Sequence, residues 1–129
     1  MTDIEKLDEV FSEYIRLRDA DQYGMVRCIS CGKRMRWTEC DAGHYVSRSH
    51  MCLRYDEKNV NEQCRECNRF KSGNPEGYER GLRIKYGRFV LEYLENKKKN
   101  ICRLSDYEIE MLTLYYKKQV KILRMKYSI

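Results

Sequence analysis

The chain has 129 residues, which is enough for one compact domain and too few for two domains of ordinary size. Apolar residues make up 42% and charged residues 36% of the sequence, with a single proline, and this composition argues against a disordered chain. Twenty-six Lys and Arg against twenty Asp and Glu give a net charge of +6, which favours a polyanionic partner without proving one.

The first predicted element is an amphipathic helix. Thr2 and Glu5 have the spacing of a capping box, and apolar residues follow them at three- and four-residue steps. We expect this helix to end near the acidic stretch 19–21, before Gly24. The apolar positions are Ile4, Leu7, Val10, Phe11, Tyr14 and Ile15.

Neither a membrane span nor an export signal is indicated. No apolar run is long enough to cross a bilayer, and the N-terminal segment lacks the apolar stretch of a signal peptide. The expected location is therefore the cytoplasm, without a membrane partner.

The helical period disappears from Met25 to Asn61, where cysteines and aromatic residues become dense. Short strands or knuckles are predicted at 25–29, 36–40 and 44–47. A helical turn is predicted at 63–71, beginning inside the second cysteine pair and broken by Gly-Asn-Pro at 73–75.

Three helices are predicted in the C-terminal half. Two short ones, 76–86 and 89–97, are separated by Gly87. A capping box at Ser105 and Glu108 begins a long final helix with one apolar stripe, which is typical of core packing or of a partner helix and could pair two subunits as a homodimer. The stripe consists of Ile109, Leu112, Tyr116, Leu123 and Tyr127.

These elements predict a single domain, 1–129, of the α+β class and mainly helical. It comprises an N-terminal helix (1–24), a cysteine-rich core (25–74) and a helical extension (75–129). Without an internal repeat or a linker, the helices are expected to brace the core.

The seven cysteines include two Cys-x-x-Cys pairs. In a reducing cytoplasm such pairs indicate metal or redox chemistry, and an odd total fits a disulfide framework poorly. A thioredoxin-like centre needs only one pair, whereas two pairs can complete a closed, structural four-thiolate zinc site. The predicted zinc ligands are Cys28, Cys31, Cys64 and Cys67, and the remaining cysteines, Cys40, Cys52 and Cys102, are interpreted as small buried apolar residues.

A histidine, a downstream asparagine and a polar residue just past the last cysteine of the pairs lie in the order of an HNH nuclease: His44, Asn59 and Asn68. The chain also resembles the NinG (Rap) family of phage recombination proteins between Phe11 and Gly81. The matching runs are FSEYIRLRDAD, CISCGK, DAGHYVSR, LRYDEKNVNEQCRECNRFKSGN and YERGL.

The resemblance implies a zinc-stapled ββα-metal (HNH) core braced by N- and C-terminal helices. It further implies a structure-specific DNA endonuclease for branched recombination intermediates, such as a Holliday junction or a flap, encoded by a phage or prophage. The implied partners are DNA, expected to be branched, and other phage recombination proteins. The rival interpretation is a zinc-stabilised DNA-binding or adaptor module without catalysis.

The motif gives His44 and Asn59 roles in proton transfer. His44 has a usual pKa near 6.5, so it is mostly neutral in the cell and can serve as the general base for the attacking water. The alternative is a buried structural or zinc-binding histidine. In such nucleases the residue at Asn59 fixes the loop and orients the histidine, with Asn61 as the weaker candidate for that role.

A catalytic Mg²⁺ or Mn²⁺ ion would take oxygen ligands. The cysteine framework is similar to that of the junction-resolving endonuclease of a T-even phage, whose metal-binding Asn corresponds to Asn68. Asp41 is the candidate carboxylate, although many HNH motifs place Asp directly before the histidine, where this chain has Gly43. On a straight strand Asp41 and His44 face opposite sides, so Asp41 could instead orient His44 or cap the knuckle.

Basic residues flanking the motif are the predicted phosphate contacts, and recognition by DNA shape is expected because no base-reading element is evident. Asp56 and Glu57 are interpreted as an acidic turn before a strand, and His50 as a surface or DNA-contacting residue. The predicted DNA contacts are Arg48, Arg54, Arg65, Arg69 and Lys71.

Overall fold

A computed structural model describes residues 1–128, and Ile129, the last residue of the predicted domain, lies outside this description. The fold is mixed α+β and mainly helical, as predicted. The helices are α1 (Asp3–Arg18), α2 (Met51–Arg54), α3 (Pro75–Tyr86), α4 (Val90–Lys98) and α5 (Asp106–Tyr127), and the strands are β1 (Met25–Arg27), β2 (Arg34–Arg36), β3 (Asp41–His44) and β4 (Val60–Gln63). None of the helices in the described part of the chain has the length and apolar composition that a membrane span needs.

The first and last helices pack against each other. Both begin with the predicted capping boxes, at Thr2 and at Ser105. The apolar face of α1 meets the predicted stripe of α5, and the Phe11 and Tyr116 rings lie edge to face at 4.9 Å. Four of its five residues, Ile109, Leu112, Tyr116 and Leu123, are therefore covered within the chain, so a homodimer would need other residues.

The first cysteine pair lies in the hairpin formed by β1 and β2. These strands are antiparallel, with Met25 opposite Arg36 and Arg27 opposite Arg34. A short strand or knuckle was predicted at 36–40, and a strand there would be wrong: β2 ends at Arg36 and a 3-10 turn follows at Trp37–Glu39. The turn redirects the chain from the first hairpin into β3.

Strands β3 and β4 form a second antiparallel pair, with Asp41 opposite Gln63 and His44 opposite Val60. The strand predicted at 44–47 lies at 41–44 instead. The register continues for one more bond, from Tyr45 N to the Asn59 carbonyl oxygen, and then ends because Val46 N donates to the Asn59 side chain. A π-helical segment, Glu66–Phe70, follows β4 where a helical turn was predicted.

Helix α3 joins the two hairpins. A Cβ atom at Gly81 would lie 1.9 Å from the Ile29 carbonyl oxygen. Only glycine therefore permits α3 to approach so closely to the turn that contains Cys28 and Cys31. The buried Tyr78 hydroxyl donates a hydrogen bond of 2.6 Å to the Gly43 carbonyl oxygen in β3. The helix therefore fixes the turn of the first cysteine pair and the β3–β4 pair relative to each other.

The three cysteines outside the two pairs differ from one another. Cys40 is buried in the apolar cluster beside the knuckle, as predicted. The prediction was wrong for the other two, since Cys52 and Cys102 form a disulfide. Their Cα atoms lie 5.0 Å apart, within the usual range for such a bond, and the pairing joins α2 to the segment before α5.

Candidate functional site

The four cysteines of the two pairs converge on one point. Their sulfur atoms all lie within 4.8 Å of one another, and the Cys31 and Cys64 sulfurs are 3.8 Å apart. Four sulfurs at about 2.3 Å from a tetrahedral zinc ion would be separated by about 3.8 Å. Backbone amides also point at sulfur, with Ser30 N 3.4 Å from Cys28 Sγ and Cys67 N 3.4 Å from Cys64 Sγ. The cluster of Cys28, Cys31, Cys64 and Cys67 could therefore hold a zinc ion.

A separate open cleft of about 730 Å³ lies between α1, β3 and the π-helical segment. The predicted base, His44, and both predicted ligands of a catalytic ion, Asp41 and Asn68, line it. Although Asp41 and His44 are three positions apart on one strand, both border the same cleft. The structure therefore places a carboxylate, an amide and an imidazole around one space.

The His44 ring is oriented by a backbone group. Its Nε2 lies 3.0 Å from the Arg54 carbonyl oxygen, and because that oxygen only accepts, Nε2 carries the proton and Nδ1 is the acceptor of the neutral ring. Burial lowers the pKa of His44 below its usual value of 6.5. The ring is thus neutral at neutral pH, in the form that can take up a proton.

Asn59 fixes the loop that supplies this carbonyl oxygen. Its side chain is fully buried, accepts a hydrogen bond of 2.8 Å from Val46 N, and donates to the carbonyl oxygens of Val46 and Leu53 at 2.9 and 3.0 Å. These bonds connect the two ends of the loop between β3 and β4. Asn61 makes different contacts: its amide oxygen accepts from Arg18, Lys85 and Tyr86 in a separate buried network.

Asp41 and Asn68 lie in direct contact. Asn68 Nδ2 donates to Asp41 Oδ2 at 2.9 Å, and Arg69 donates to both carboxylate oxygens at 2.9 and 2.8 Å. Burial would raise the pKa of Asp41, but the bonds from Arg69 and Asn68 lower it below its usual value. The donor set of an anionic carboxylate and an amide suits a hard divalent cation, and the half-exposed Arg69 side chain stands beside it.

Gly43 occupies the position where many HNH motifs have Asp, and the structure gives a steric reason. A Cβ atom on this buried residue would lie 2.0 Å from Gln63 Oε1. Gln63 is itself fixed, because its Nε2 donates to Ser30 Oγ at 2.9 Å and to the Gly73 carbonyl oxygen at 2.7 Å. A side chain before His44 would therefore require Gln63 to shift and lose these bonds, and the carboxylate beside the cleft comes from Asp41.

Three of the five predicted DNA contacts line the cleft, namely Arg48, Arg65 and Arg69. The other two lie outside it. Arg54 Nε donates to Asp8 Oδ1 at 3.1 Å, and Lys71 Nζ lies 3.7 Å from Glu66 Oε1. Whether any of the five contacts DNA stays a prediction, but Arg54 has a structural partner inside the chain.

One side of α1 carries a polar strip that was not predicted from the sequence. Asp8, Ser12 and Arg16 are four residues apart, so they share one side of the helix, and all three line the cleft. The sequence signal that could have revealed it is the recurrence of polar residues every four positions, beside the apolar positions of the same helix.

The acidic turn predicted at Asp56 and Glu57 does precede β4, but both residues lie outside the cleft. Asp56 accepts from Lys97 Nζ at 2.6 Å, and Glu57 accepts from the Tyr14 hydroxyl at 2.8 Å. Both residues thus make contacts within the fold.

Comparison with known proteins identifies relatives over almost the whole chain. The family model described as "Bacteriophage Lambda NinG protein" matches residues 2–126. The protein ninG of Escherichia phage 933W is 33% identical over 122 residues, which cover 94% of this chain and 58% of that protein. Those of Salmonella phage P22 and Escherichia phage lambda are 33% and 32% identical over the same length, each with 57% of the relative covered.

The chain thus spans less than two thirds of the length of these relatives. No solved structure matches it.

Proposed function

The chain belongs to the bacteriophage lambda NinG protein family, and we propose that it is a metal-dependent endonuclease that hydrolyses phosphodiester bonds in branched recombination intermediates of DNA. The observation that carries the proposal is the convergence of His44, Asp41 and Asn68 on one cleft. The order of elements around it, two antiparallel strands followed by a helical segment, supports the ββα-metal interpretation of the HNH motif.

His44 is the proposed general base. The neutral ring keeps its proton on Nε2, toward the Arg54 carbonyl oxygen, so Nδ1 can accept the proton of the attacking water. Asn59 contributes indirectly by fixing the loop that contains Arg54. Proton transfer of this kind contributes roughly 10²- to 10⁴-fold to an enzymatic rate.

Asp41 and Asn68 are the proposed ligands of the catalytic Mg²⁺ or Mn²⁺ ion. When bound, such an ion stabilises negative charge that develops on the phosphate oxygens. For Asp41 to act as a ligand, the Arg69 guanidinium must leave its carboxylate, and the half-exposed side chain is free to turn toward a phosphate. Exchange of one anionic partner for another keeps the charge of Arg69 compensated.

The zinc ion is assigned a structural role. Four thiolates close its coordination sphere, so no position remains for a substrate. Asn68 follows Cys67 directly, and the π-helical segment that contains both begins beside the second cysteine pair. The metal cluster therefore fixes the position of one proposed ligand of the catalytic ion.

The cleft is also suited to a phosphate backbone. Arg16, Arg48, Arg65 and Arg69 contribute four guanidinium groups to its lining, against the carboxylates of Asp8 and Asp41. Contacts of this kind position DNA without reading its sequence. Recognition by shape follows, which is consistent with a four-way junction or a flap as substrate and with a role beside other phage recombination proteins.

One observation favours the non-catalytic alternative, a zinc-stabilised DNA-binding or adaptor module. Arg69 bonds to both oxygens of Asp41, and this arrangement would be stable in a protein that binds no second cation. The two functions agree on DNA binding and differ only in cleavage.

A cleavage panel separates them. The purified protein would be incubated with a four-way junction, a flap, a linear duplex and a single strand, with Mg²⁺, with Mn²⁺ or with a chelator. The proposed function predicts metal-dependent cutting of branched DNA, lost in Asn68→Ala and kept in Asn96→Ala, an exposed asparagine on α4. Junction binding without cutting under every metal condition would establish the adaptor instead.

A further inference from the structure

Helix α5 has a second apolar face, opposite the one that packs on α1. It consists of Tyr107, Met111, Leu114, Tyr115, Ile122 and Met125, which recur at three-, four- and seven-residue steps and form what we call the outer stripe. All six are exposed, from 45% for Met111 to 71% for Met125. A helix that is apolar on two sides usually packs on two sides.

Charge is distributed unevenly along the same helix. Its first half has acidic residues at Asp106, Glu108 and Glu110, whereas its second half has Lys117, Lys118, Lys121 and Lys126. Arg124 is already paired with Glu13 of α1, with Nη2 2.6 Å from Oε1, and takes no part in this argument. The outer stripe therefore runs from an acidic N-terminal half of the helix to a basic C-terminal half.

We propose that the outer stripe of α5 is the interface of a homodimer, in which two copies of the chain place their α5 helices antiparallel. Antiparallel pairing brings the acidic half of each helix against the basic half of the other, on both sides of a two-fold axis. A parallel pair would instead place like charges together, Glu110 beside Glu110 and Lys118 beside Lys118.

The register follows from the stripe itself. Tyr107 and Met125 lie at equal distances from position 116, so a two-fold axis there centres the apolar contact. Glu110 then lies within about one residue, roughly 1.5 Å along the helix, of the level of Lys121 in the second copy. Lys118, which interrupts the stripe, lies opposite Leu114 of the second copy and can extend its ammonium group to solvent.

The test is sedimentation equilibrium over a range of concentrations. We expect a monomer–dimer equilibrium whose dissociation constant rises at least about tenfold in Leu114→Glu and in Ile122→Glu. The matched control is Ile84→Glu on α3, where the side chain is 83% exposed but lies outside the stripe, and it should leave the constant unchanged. Circular dichroism and zinc content verify that each variant is folded.

Charge reversal tests the orientation. Glu110→Lys and Lys121→Glu should each weaken the dimer, and the double variant should restore it, because both charges are exchanged across the two-fold axis. A protein that stays monomeric at concentrations well above micromolar would overturn the proposal. A dimer whose dissociation constant is unchanged in Leu114→Glu and Ile122→Glu would also overturn it. So would a double charge-reversal variant that dimerises no better than the single variants.

Discussion

The Arg54 carbonyl oxygen accepts a hydrogen bond of 3.0 Å from His44 Nε2, and the Arg54 side chain is anchored in turn by Asp8 of α1. Asp8 also accepts a hydrogen bond of 2.6 Å from the Tyr55 hydroxyl. Its pKa is lowered, since the bonds from Arg54 and Tyr55 outweigh the effect of burial, so the residue is anionic at neutral pH. The first helix thus helps to position the proposed base through Arg54.

Asp8→Asn should lower kcat for junction cleavage by roughly tenfold, with little change in KM, because the base loses its orientation. The Asp8 carboxylate raises the pKa of His44, so its removal should also move the acidic limb of the pH–rate profile to lower pH. The measurement is kcat as a function of pH, with Asp3→Asn, an exposed aspartate on the same helix, as the control. An unchanged profile and kcat would show that Asp8 does not position the base.

Zinc should be required for folding. Cys67→Ser removes one of four thiolates, and metal coordination in small domains contributes on the order of 10 kcal/mol to folding. We expect one zinc ion per wild-type chain by elemental analysis, and loss of both zinc and the thermal unfolding transition in the variant. Cys52→Ser, which breaks the disulfide, should keep its zinc. A folded, metal-free Cys67→Ser protein would contradict the structural assignment.

Gly43 and Gln63 should be energetically coupled. Gly43→Ala places a methyl group against Gln63 Oε1 and should lower the free energy of unfolding by about 1–3 kcal/mol in urea titrations. In a Gln63→Ala background the same substitution should cost less, because the obstructing side chain is gone. Additive costs in the double-mutant cycle would mean that the contact does not exclude a side chain before His44.

Glu62 should make stability depend on pH. Burial raises the pKa of this carboxyl group to about 7, against an ordinary value of 4.5. Between these two pKa values the folded state retains a proton that the unfolded state has lost. The free energy of unfolding therefore falls as the pH rises from 4.5 to about 7. Glu62→Gln removes the ionisation, so its Tm relative to wild type should increase between pH 5 and pH 8.

The control for this effect is Glu66→Gln, an exposed glutamate on the π-helical segment, whose Tm difference from wild type should not vary with pH in this way. If the difference between Glu62→Gln and wild type is the same at both pH values, the buried carboxyl group does not titrate in that range.

The parts of the fold that local sequence determines were predictable. Capping boxes lie within four residues of the helix they begin, so Thr2 and Ser105 fixed the starts of α1 and α5 in advance. The cysteine spacing likewise predicted the four-sulfur cluster. The HNH order named His44 and Asn68, which both line the cleft, and Asn59, which lies outside it.

The remainder depends on contacts distant in sequence. The end of β3 depends on Asn59, fifteen positions after His44, whose side chain bonds the Val46 amide that would otherwise extend the strand. The disulfide joins cysteines 50 residues apart, and no spacing rule connects them. The four-residue spacing of Asp8, Ser12 and Arg16 marks a polar side of α1, but the contact of Asp8 with Arg54, 46 positions away, could not be predicted from that spacing.

The most direct test of the proposed function compares His44→Ala with His50→Ala in single-turnover cleavage of a four-way junction. If His44 is the general base, its variant should cut at least about a hundredfold more slowly while binding the junction as tightly as wild type. With enzyme in saturating excess over the junction, so that any loss of DNA binding does not limit the rate, His50→Ala should cut at the wild-type rate. Equal cutting by the His44 variant and wild type would contradict the account.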